Sequence, residues 1–497
     1  MTSEVINSWE SLKSIADTLD SYRIRALLDA KQDILDAGVY NESQYYHILF
    51  TMFDQERVKY SLFEDIKNHP QKNYSAIQEF VEKNSIDLKK VLSILKLLMY
   101  ENLIKIEELY DKRDNGDNIP ENLIFKDFNI SIIQKDISKI RSIYEPVKII
   151  FDTKVCSGCS LCAGICPVKC LDIYNGFGKI DEDKCIRCGL CYLICPRSFL
   201  PVDILNMLQE NTSEFKKYYK IGSYIEVYSA RTKLKKIAEV CQDGGISSTL
   251  LYYLLEAGKI DLALGAKMSN TLWRPEPIII KSKDDVLLTS GTKYVNNPTL
   301  KSLNELHQEN KSLAIVGVPC MMQALLKAEL YDIGFPALNN IKYRIGIFCM
   351  ESFSYQSLLK ICEVLETNIK HIKKMDINRG QFIVYTHKGD TLQVPIKQIS
   401  HLAREDCEVC FDLTAESADI SVGSIGSPSG WNTIILRTEK GKELYEELLK
   451  RDLIESKSIT EIQPGLPMVE KIAGIKKTTC LKHINAKKDE EKRVPLY

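Results

Sequence analysis

Sixteen cysteines stand in this chain of 497 residues, and eight of them fall into two runs of one spacing. Cys156, Cys159, Cys162 and Cys166 precede Pro167; Cys185, Cys188, Cys191 and Cys195 precede Pro196. Each run reads C-x2-C-x2-C-x3-C-P. Three thiolates two residues apart wrap three corners of an iron–sulfur cube, and the fourth, beyond a longer gap, reaches a neighbouring cube. On that spacing Cys156, Cys159, Cys162 and Cys195 hold one 4Fe–4S cluster, and Cys185, Cys188, Cys191 and Cys166 hold another, which makes a two-cluster ferredoxin module. The proline ends each ligand loop by removing a donor and fixing φ. Zinc also takes four thiolates, but its structural sites usually draw two separated C-x2-C pairs. Cys170 lies outside the repeat and reads as a packed thiol.

Four more cysteines have suggestive positions. "SLAIVGVPC" ends at Cys320 and "YRIGIFC" at Cys349; each is a buried-strand run followed by a helical pattern. Both thiols are expected at the carboxyl end of a strand, the edge where open parallel sheets bind ligands. A C-x2-C pair, Cys407 and Cys410, follows. Singly, each thiol reads as buried and apolar; together the four could close one more 4Fe–4S site. The residues alone leave both readings open. Cys241, Cys362 and Cys480 read as packed thiols.

Two glycine-bearing loops suit a phosphate-bearing cofactor, although a plain turn accounts for either. "CQDGGISS" puts Gly244 and Gly245 ahead of Ser247 and Ser248, which could cap the following helix. A helix start preceded by glycines offers free N–H groups to a pyrophosphate. "DISVGSIGSPSG" ends a strand in small residues around Gly423, Gly426 and Gly430, which would let a flat ring approach.

The elements that must position these residues divide the chain. Residues 1–125 read as a helical, winged-helix-like domain. Leu88, Val91, Leu92, Leu95 and Leu98 form one apolar helix face, Asp87 caps it, and "NLIKIEEL" then alternates as a strand. "YDKRDNGDNIPEN" reads as a polar linker, and residues 126–148 connect to the ferredoxin domain at 149–205. An α/β domain spans 220–480, and residues 481–497 form a charged, solvated tail. A winged helix joined to iron–sulfur clusters could be a redox-sensing regulator. Charge argues against nucleic acid: residues 71–113 carry eight Lys/Arg against seven Asp/Glu, and the formal net charge is −1. The first domain is better read as a docking module.

No run of eighteen apolar residues is present, and the N-terminus lacks a signal-peptide core, so neither a membrane span nor export is expected. So many cysteines without an export signal imply metal or redox chemistry in a reducing cytoplasm. Peripheral attachment to a membrane complex fits the same features.

From about Glu226 to Lys476 the sequence resembles the coenzyme F420 hydrogenase/dehydrogenase beta-subunit family. The resemblance rests on "YSARTKLKKIAEVCQDGGISSTLLYYLLEAG", "SGTKY", "VGVPC", "GIFCMESF", "MDINRGQFIVYT" and "CEVCFDLTAESADISVGSIGSPSGWNTIILRT". It implies an α/β flavin domain that binds FAD, one 4Fe–4S cluster and the deazaflavin coenzyme F420. It places Cys320, Cys349, Cys407 and Cys410 on that cluster. Gln242, Asp243, Gly244, Gly245, Thr292, Lys293 and Tyr294 become flavin-pocket candidates. With the ferredoxin module in front, the chain resembles the electron-input subunit of reduced-F420 dehydrogenases. The implied chemistry is hydride transfer between F420 and FAD, with no protein acid or base, and single electrons passing through three clusters to or from a partner subunit. Hydrogenase, dehydrogenase and heterodisulfide-reductase-like complexes are the implied partners. The same modules occur in formate dehydrogenase beta subunits, where NAD(P)H or ferredoxin could replace F420. Arg231, Lys233, Lys235 and Lys236 could attract the acidic tail of F420, though a solvated basic face accounts for them.

Overall fold

Short β-branched runs such as "LAIVG" favour strands buried on both faces, and they assemble into an eight-stranded sheet. This computed structural model describes residues 13, 14, 16, 21–69, 72–101, 103–111, 122–133, 147–212, 216–218 and 220–497. The strand order is Ile454–Ser458, Glu226–Thr232, Asn432–Leu436, Ile420–Gly423, Ile341–Ile347, Leu313–Gly317, Leu262–Met268 and Pro275–Ile280. The strands from Ile420–Gly423 to Leu262–Met268 pair in parallel, and antiparallel strands flank them on both sides. Cys320 opens the helix Pro319–Leu330 directly after its strand, and Cys349 follows Ile341–Ile347 on the neighbouring strand. The two thiols thus share one sheet edge, the edge where ligands bind in open parallel sheets. A separate antiparallel sheet, Ile372–Asn378, Gln381–Thr386 and Thr391–Pro395, packs beside that edge.

The two cysteine runs fold alike. Gly158 and Ser160 in one, and Arg187 and Gly189 in the other, take positive φ on either side of the second cysteine. Short helices Leu161–Ile165 and Leu190–Ile194 follow. The module lies directly on the α/β domain: a side chain at Gly164 would meet Leu300 O at 2.2 Å, and Lys301 N donates to Ser160 Oγ at 2.9 Å.

In the first domain, helices Tyr74–Asn84 and Leu88–Tyr100 precede an antiparallel pair, Ile104–Asp111 and Asn122–Ile132. The expected helix, turn, helix, strand order is present, and Asp87 caps the second helix through Lys90 N. A DNA-reading winged helix must expose that second helix, whereas residues 91–98 are all buried. Lys96 pairs with Asp203 at 2.8 Å, Lys90 with Asp54, and Lys89 donates to Asn211 at 3.1 Å. The order therefore does not make this element a winged helix presented to DNA. The domain packs on its own chain: Tyr40 Oη donates to Ile165 O at 2.8 Å, and Tyr331 Oη to Ser93 O at 3.1 Å.

Two expected boundaries move. The strand Asn122–Ile132 runs through position 126, so the linker cannot begin there. Residues 112–121 of "YDKRDNGDNIPEN" and 134–146 of the expected linker lie outside the described residues. The charged tail is a solvated helix end along residues 488–492, which are exposed, but the residues after it pack back on the chain. Helix Gly465–Asp489 extends past 480, Val494 is buried, and Leu496 O accepts from Leu200 N at 2.7 Å. Apolar residues in "VPLY" override the charge of the preceding "KKDEEKR". No helix among the described residues is long and apolar enough to cross a membrane.

Candidate electron-transfer site

Cys156, Cys159, Cys162 and Cys195 line one small cavity, together with Pro196 and Ile173. Cys166, Cys185, Cys188 and Cys191 line a second, together with Pro167 and Ile180. Each cavity thus takes three cysteines from one run and the fourth from the other. Backbone N–H groups point at the sulfurs: Gly158 N to Cys156 Sγ and Arg197 N to Cys195 Sγ, both at 3.4 Å. Burial pushes Cys156 up to about 12 and Cys159 to about 11, and the charge of Cys195 adds to both. Thiols crowded in this way ionise only with a cation among them. No three His, Cys, Asp or Glu side chains among the described residues close on a single metal ion. Four cysteines around one cavity is the arrangement that an iron–sulfur cube would need.

Cys170 is buried, as its reading as a packed thiol expects, and it also touches the second set. Its sulfur lies 3.4 Å from Cys166 Sγ and lines the second cavity. Its hydrogen bond to Cys185 draws that thiol down to about 6. Four residues beyond Cys166, it falls on the same loop.

The remaining four thiols also meet. Cys320 neighbours Cys410 and Cys349, and Cys407 neighbours Cys349 and Cys410. Ser352 N donates to Cys407 Sγ at 3.4 Å, and Cys349 N to Leu413 O at 2.8 Å, so the loops interlock. Burial raises Cys320, Cys349 and Cys407. It opposes ionisation of Cys410 too, but Lys476 and Arg197 outweigh it and hold that thiol below its ordinary value. Lys476, buried on Gly465–Asp489, donates to Cys349 O. The charge of Cys159 reaches Cys320, and Arg404, three residues before Cys407, donates to Cys156 O at 2.8 Å, which ties the third set to the first.

The flavin-pocket candidates converge only in part. Gly245 at φ +71 is the N-cap of helix Ile246–Glu256 and has no side chain of its own with which to cap it. Ser247 and Ser248 do not cap; Asn432 Oδ1 takes the Ile246 N–H at 3.2 Å, and Ser248 Oγ meets Ser290 Oγ at 3.4 Å. That helix start fits an anionic cofactor. Gln242 Nε2 donates to Met375 O at 3.1 Å, and Asp243 accepts from Ser424. Lys293 Nζ is caged by the carbonyls of Thr289, Ser290 and Gly291 at 2.6, 2.9 and 3.0 Å, and burial lowers it to about 8. Thr292 is adjacent in the same loop. Tyr294 is raised by burial and neighbours Asp376, which burial and Asp243 raise in turn. Of the glycines read for ring approach, Gly430 faces open space, whereas Gly423 and Gly426 are packed against side chains. A side chain at Gly423 would meet Phe348 Cδ2 at 2.0 Å, and one at Gly426 would meet Val469 Cγ2 at 2.7 Å. Arg231 and Lys233 pair with Glu455 and Asp452.

Sequence reasoning missed Arg197, Arg404, Lys476 and Asp376. Single basic or acidic residues have no spacing signature, and only folding brings them to the thiols or the flavin loops.

Three sets of four cysteines on a ferredoxin module and a sheet edge define an iron–sulfur oxidoreductase subunit. Residues 227–304 and 310–462 match the N-terminal and C-terminal parts of "Coenzyme F420 hydrogenase/dehydrogenase, beta subunit", and residues 179–200 match a 4Fe-4S binding domain. The chain belongs to the coenzyme F420 hydrogenase/dehydrogenase beta-subunit family. It is 37% identical over 273 residues to the beta subunit of the coenzyme F420 hydrogenase of Methanothermobacter thermautotrophicus, covering 54% of this chain and 97% of that protein. It is 32% identical over 341 residues to one of the subunits that make up the F(420)H(2) dehydrogenase of Methanosarcina mazei, covering 66% and 91%. A chain of the F420-reducing [NiFe] hydrogenase complex from Methanosarcina barkeri superposes with a TM-score of 0.54 at 35% identity, covering 56% and 97%.

Proposed function

We propose that this chain exchanges hydride with coenzyme F420 at a bound FAD and passes single electrons through three 4Fe–4S clusters to or from a partner subunit. The observation that carries the reading is the arrangement of the cysteine sets: each ferredoxin cavity is lined by cysteines of both runs, and Arg404, three residues before Cys407, donates to the carbonyl of Cys156. When bound, FAD accepts hydride and releases electrons singly, and the clusters carry them one at a time. The protein's own part is positional. Gly245 and the start of helix Ile246–Glu256 would hold the flavin phosphates, and Lys293 and Tyr294 would help to shape the rest of the pocket. Tyr294 O accepts from Phe353 N at 2.9 Å, and Asn296 Nδ2 donates to Ser157 O at 3.1 Å. One strand of chain thereby ties the flavin loop to the third and first cysteine sets. The twelve clustered cysteines are the proposed ligands, and the described residues of the first domain brace the ferredoxin module, as Tyr40 does at Ile165 O. Relatives named for hydrogenase, dehydrogenase and sulfite reductase activities fit an input module whose partner chain varies.

The test is anaerobic reconstitution with FAD, iron and sulfide, followed by addition of reduced F420, with NADH and NADPH as controls. Bleaching of flavin and cluster absorbance by reduced F420 alone is expected. Bleaching only by a nicotinamide or ferredoxin would mean that the donor differs and would overturn the assignment to F420.

A further inference from the structure

Two arginines stand between the first and third cysteine sets. Arg197 follows Cys195 by two residues and is 1% exposed. Its backbone N–H points at Cys195 Sγ, and its guanidinium neighbours Cys410 and Cys320. Nη1 donates to Tyr497 Oη at 2.7 Å, and Nε is buried without a hydrogen-bond partner among the described residues. Arg404 precedes Cys407 by three residues and approaches from the other domain. Its Nη2 donates to Cys156 O at 2.8 Å and pairs with Asp406 at 2.8 Å, while Nε and Nη1 are buried and unpartnered among the described residues. Gly176, at φ +82, makes room: a side chain there would meet Arg404 Nη1 at 1.8 Å.

A buried guanidinium with N–H groups left over is costly unless an anion compensates it. Arg197 has no carboxylate in hydrogen-bond contact among the described residues. One buried carboxylate, Asp406, is shared with Arg404 and leaves guanidinium N–H groups of both arginines over; the further anions at hand would be the thiolate-ligated clusters, whose reduction adds negative charge. Hydrogen bonds to cluster sulfur and nearby charge set reduction potentials.

We propose that Arg197 and Arg404 form a cationic bridge between the first and third clusters, donating to sulfur of both and holding their reduction potentials together. The inference rests on the three-cluster reading above and adds to it the residues that match two neighbouring potentials. Lys476 serves as the contrast, because its thiol neighbours are Cys410, Cys349 and Cys407, all of the third set.

The experiment is a redox titration of the anaerobically purified, cluster-loaded chain, followed by electron paramagnetic resonance after iron analysis. Arg197→Gln is expected to make reduction of the first and third clusters at least tenfold less favourable, about 59 mV for a one-electron couple. The second cluster should keep its potential, and Lys476→Gln should move the third alone. Unchanged potentials in Arg197→Gln, or equal shifts in all three clusters, would overturn the bridge. Should Arg197→Gln lose iron, Arg197→Lys carries the test. It keeps the charge with fewer donors, so at least one of the two potentials should fall; no shift in either would overturn the proposal. Fewer than three clusters in the unaltered chain is a separate result and would overturn the reading on which the bridge rests.

Discussion

Arg404 Nη2 donates to the carbonyl of Cys156 at 2.8 Å. One residue leads into the C-x2-C pair of the α/β domain, and the other begins the first cysteine run. The bond pins two loops from different domains to each other where an electron would have to cross. A ferredoxin module tethered only by a linker would sample many distances. This one is locked by Arg404, by Lys301 N on Ser160 Oγ and by Asn296 on Ser157.

Cys320→Ser should remove the third cluster without removing flavin. Its thiol sits at the start of Pro319–Leu330, while the proposed flavin loops centre on Gly245 and Lys293. Iron per chain should fall by about a third on the three-cluster reading, with FAD content unchanged, and transfer to a one-electron dye should drop at least tenfold. Unchanged iron content would exclude Cys320 as a ligand.

Lys327→Met should weaken the ferredoxin module. Lys327 is fully buried, lies over the Phe199 ring and donates to Cys195 O, Ser198 Oγ and Phe199 O at 2.7, 3.1 and 2.6 Å. Methionine fills the space but leaves three acceptors without this donor, at about 1–3 kcal/mol for a stranded buried group. A lower thermal midpoint and faster iron loss are expected, measured by circular dichroism and iron release.

The cysteine runs were legible because cube ligation demands a fixed local spacing, and the sheet edge because Cys320 and Cys349 each end a β-branched run. The first domain was legible in order and not in role. The apolar pattern from Leu88 to Leu98 marks one buried face, but nothing in it announces that helices Glu42–Asn68 and Val202–Glu210 cover the lysine-bearing side as well. Gly423 and Gly426 illustrate the same gap. A glycine signals close approach, while the approaching group, here Phe348 and Val469, is set by the fold.

Lys96→Met should destabilise the chain by about 3–5 kcal/mol, because Asp203 loses a buried partner held at 2.8 Å. Denaturant unfolding measures this directly. The same burial predicts no salt-sensitive binding of duplex DNA by the intact chain. An affinity that falls steeply with salt would show that this helix leaves its packed position.

Lys293 gives the flavin pocket a pH signature. Burial lowers its pKa to about 8, below the ordinary lysine value. Between about pH 8 and 10 the unfolded chain therefore binds the proton more tightly than the folded one, and stability rises with pH across that window. The buried charge costs about 3 kcal/mol below pH 8, and the cost is relieved as the proton leaves. In flavin-free protein, the stability of the unaltered chain relative to Lys293→Met should climb by up to that amount from pH 8 upward. The Lys293 cation is also the charge available to an anionic flavin, so FAD affinity should weaken about tenfold over the same window in the unaltered chain and stay flat in Lys293→Met. Equal pH dependence in both proteins would show that Lys293 neither titrates there nor faces the cofactor.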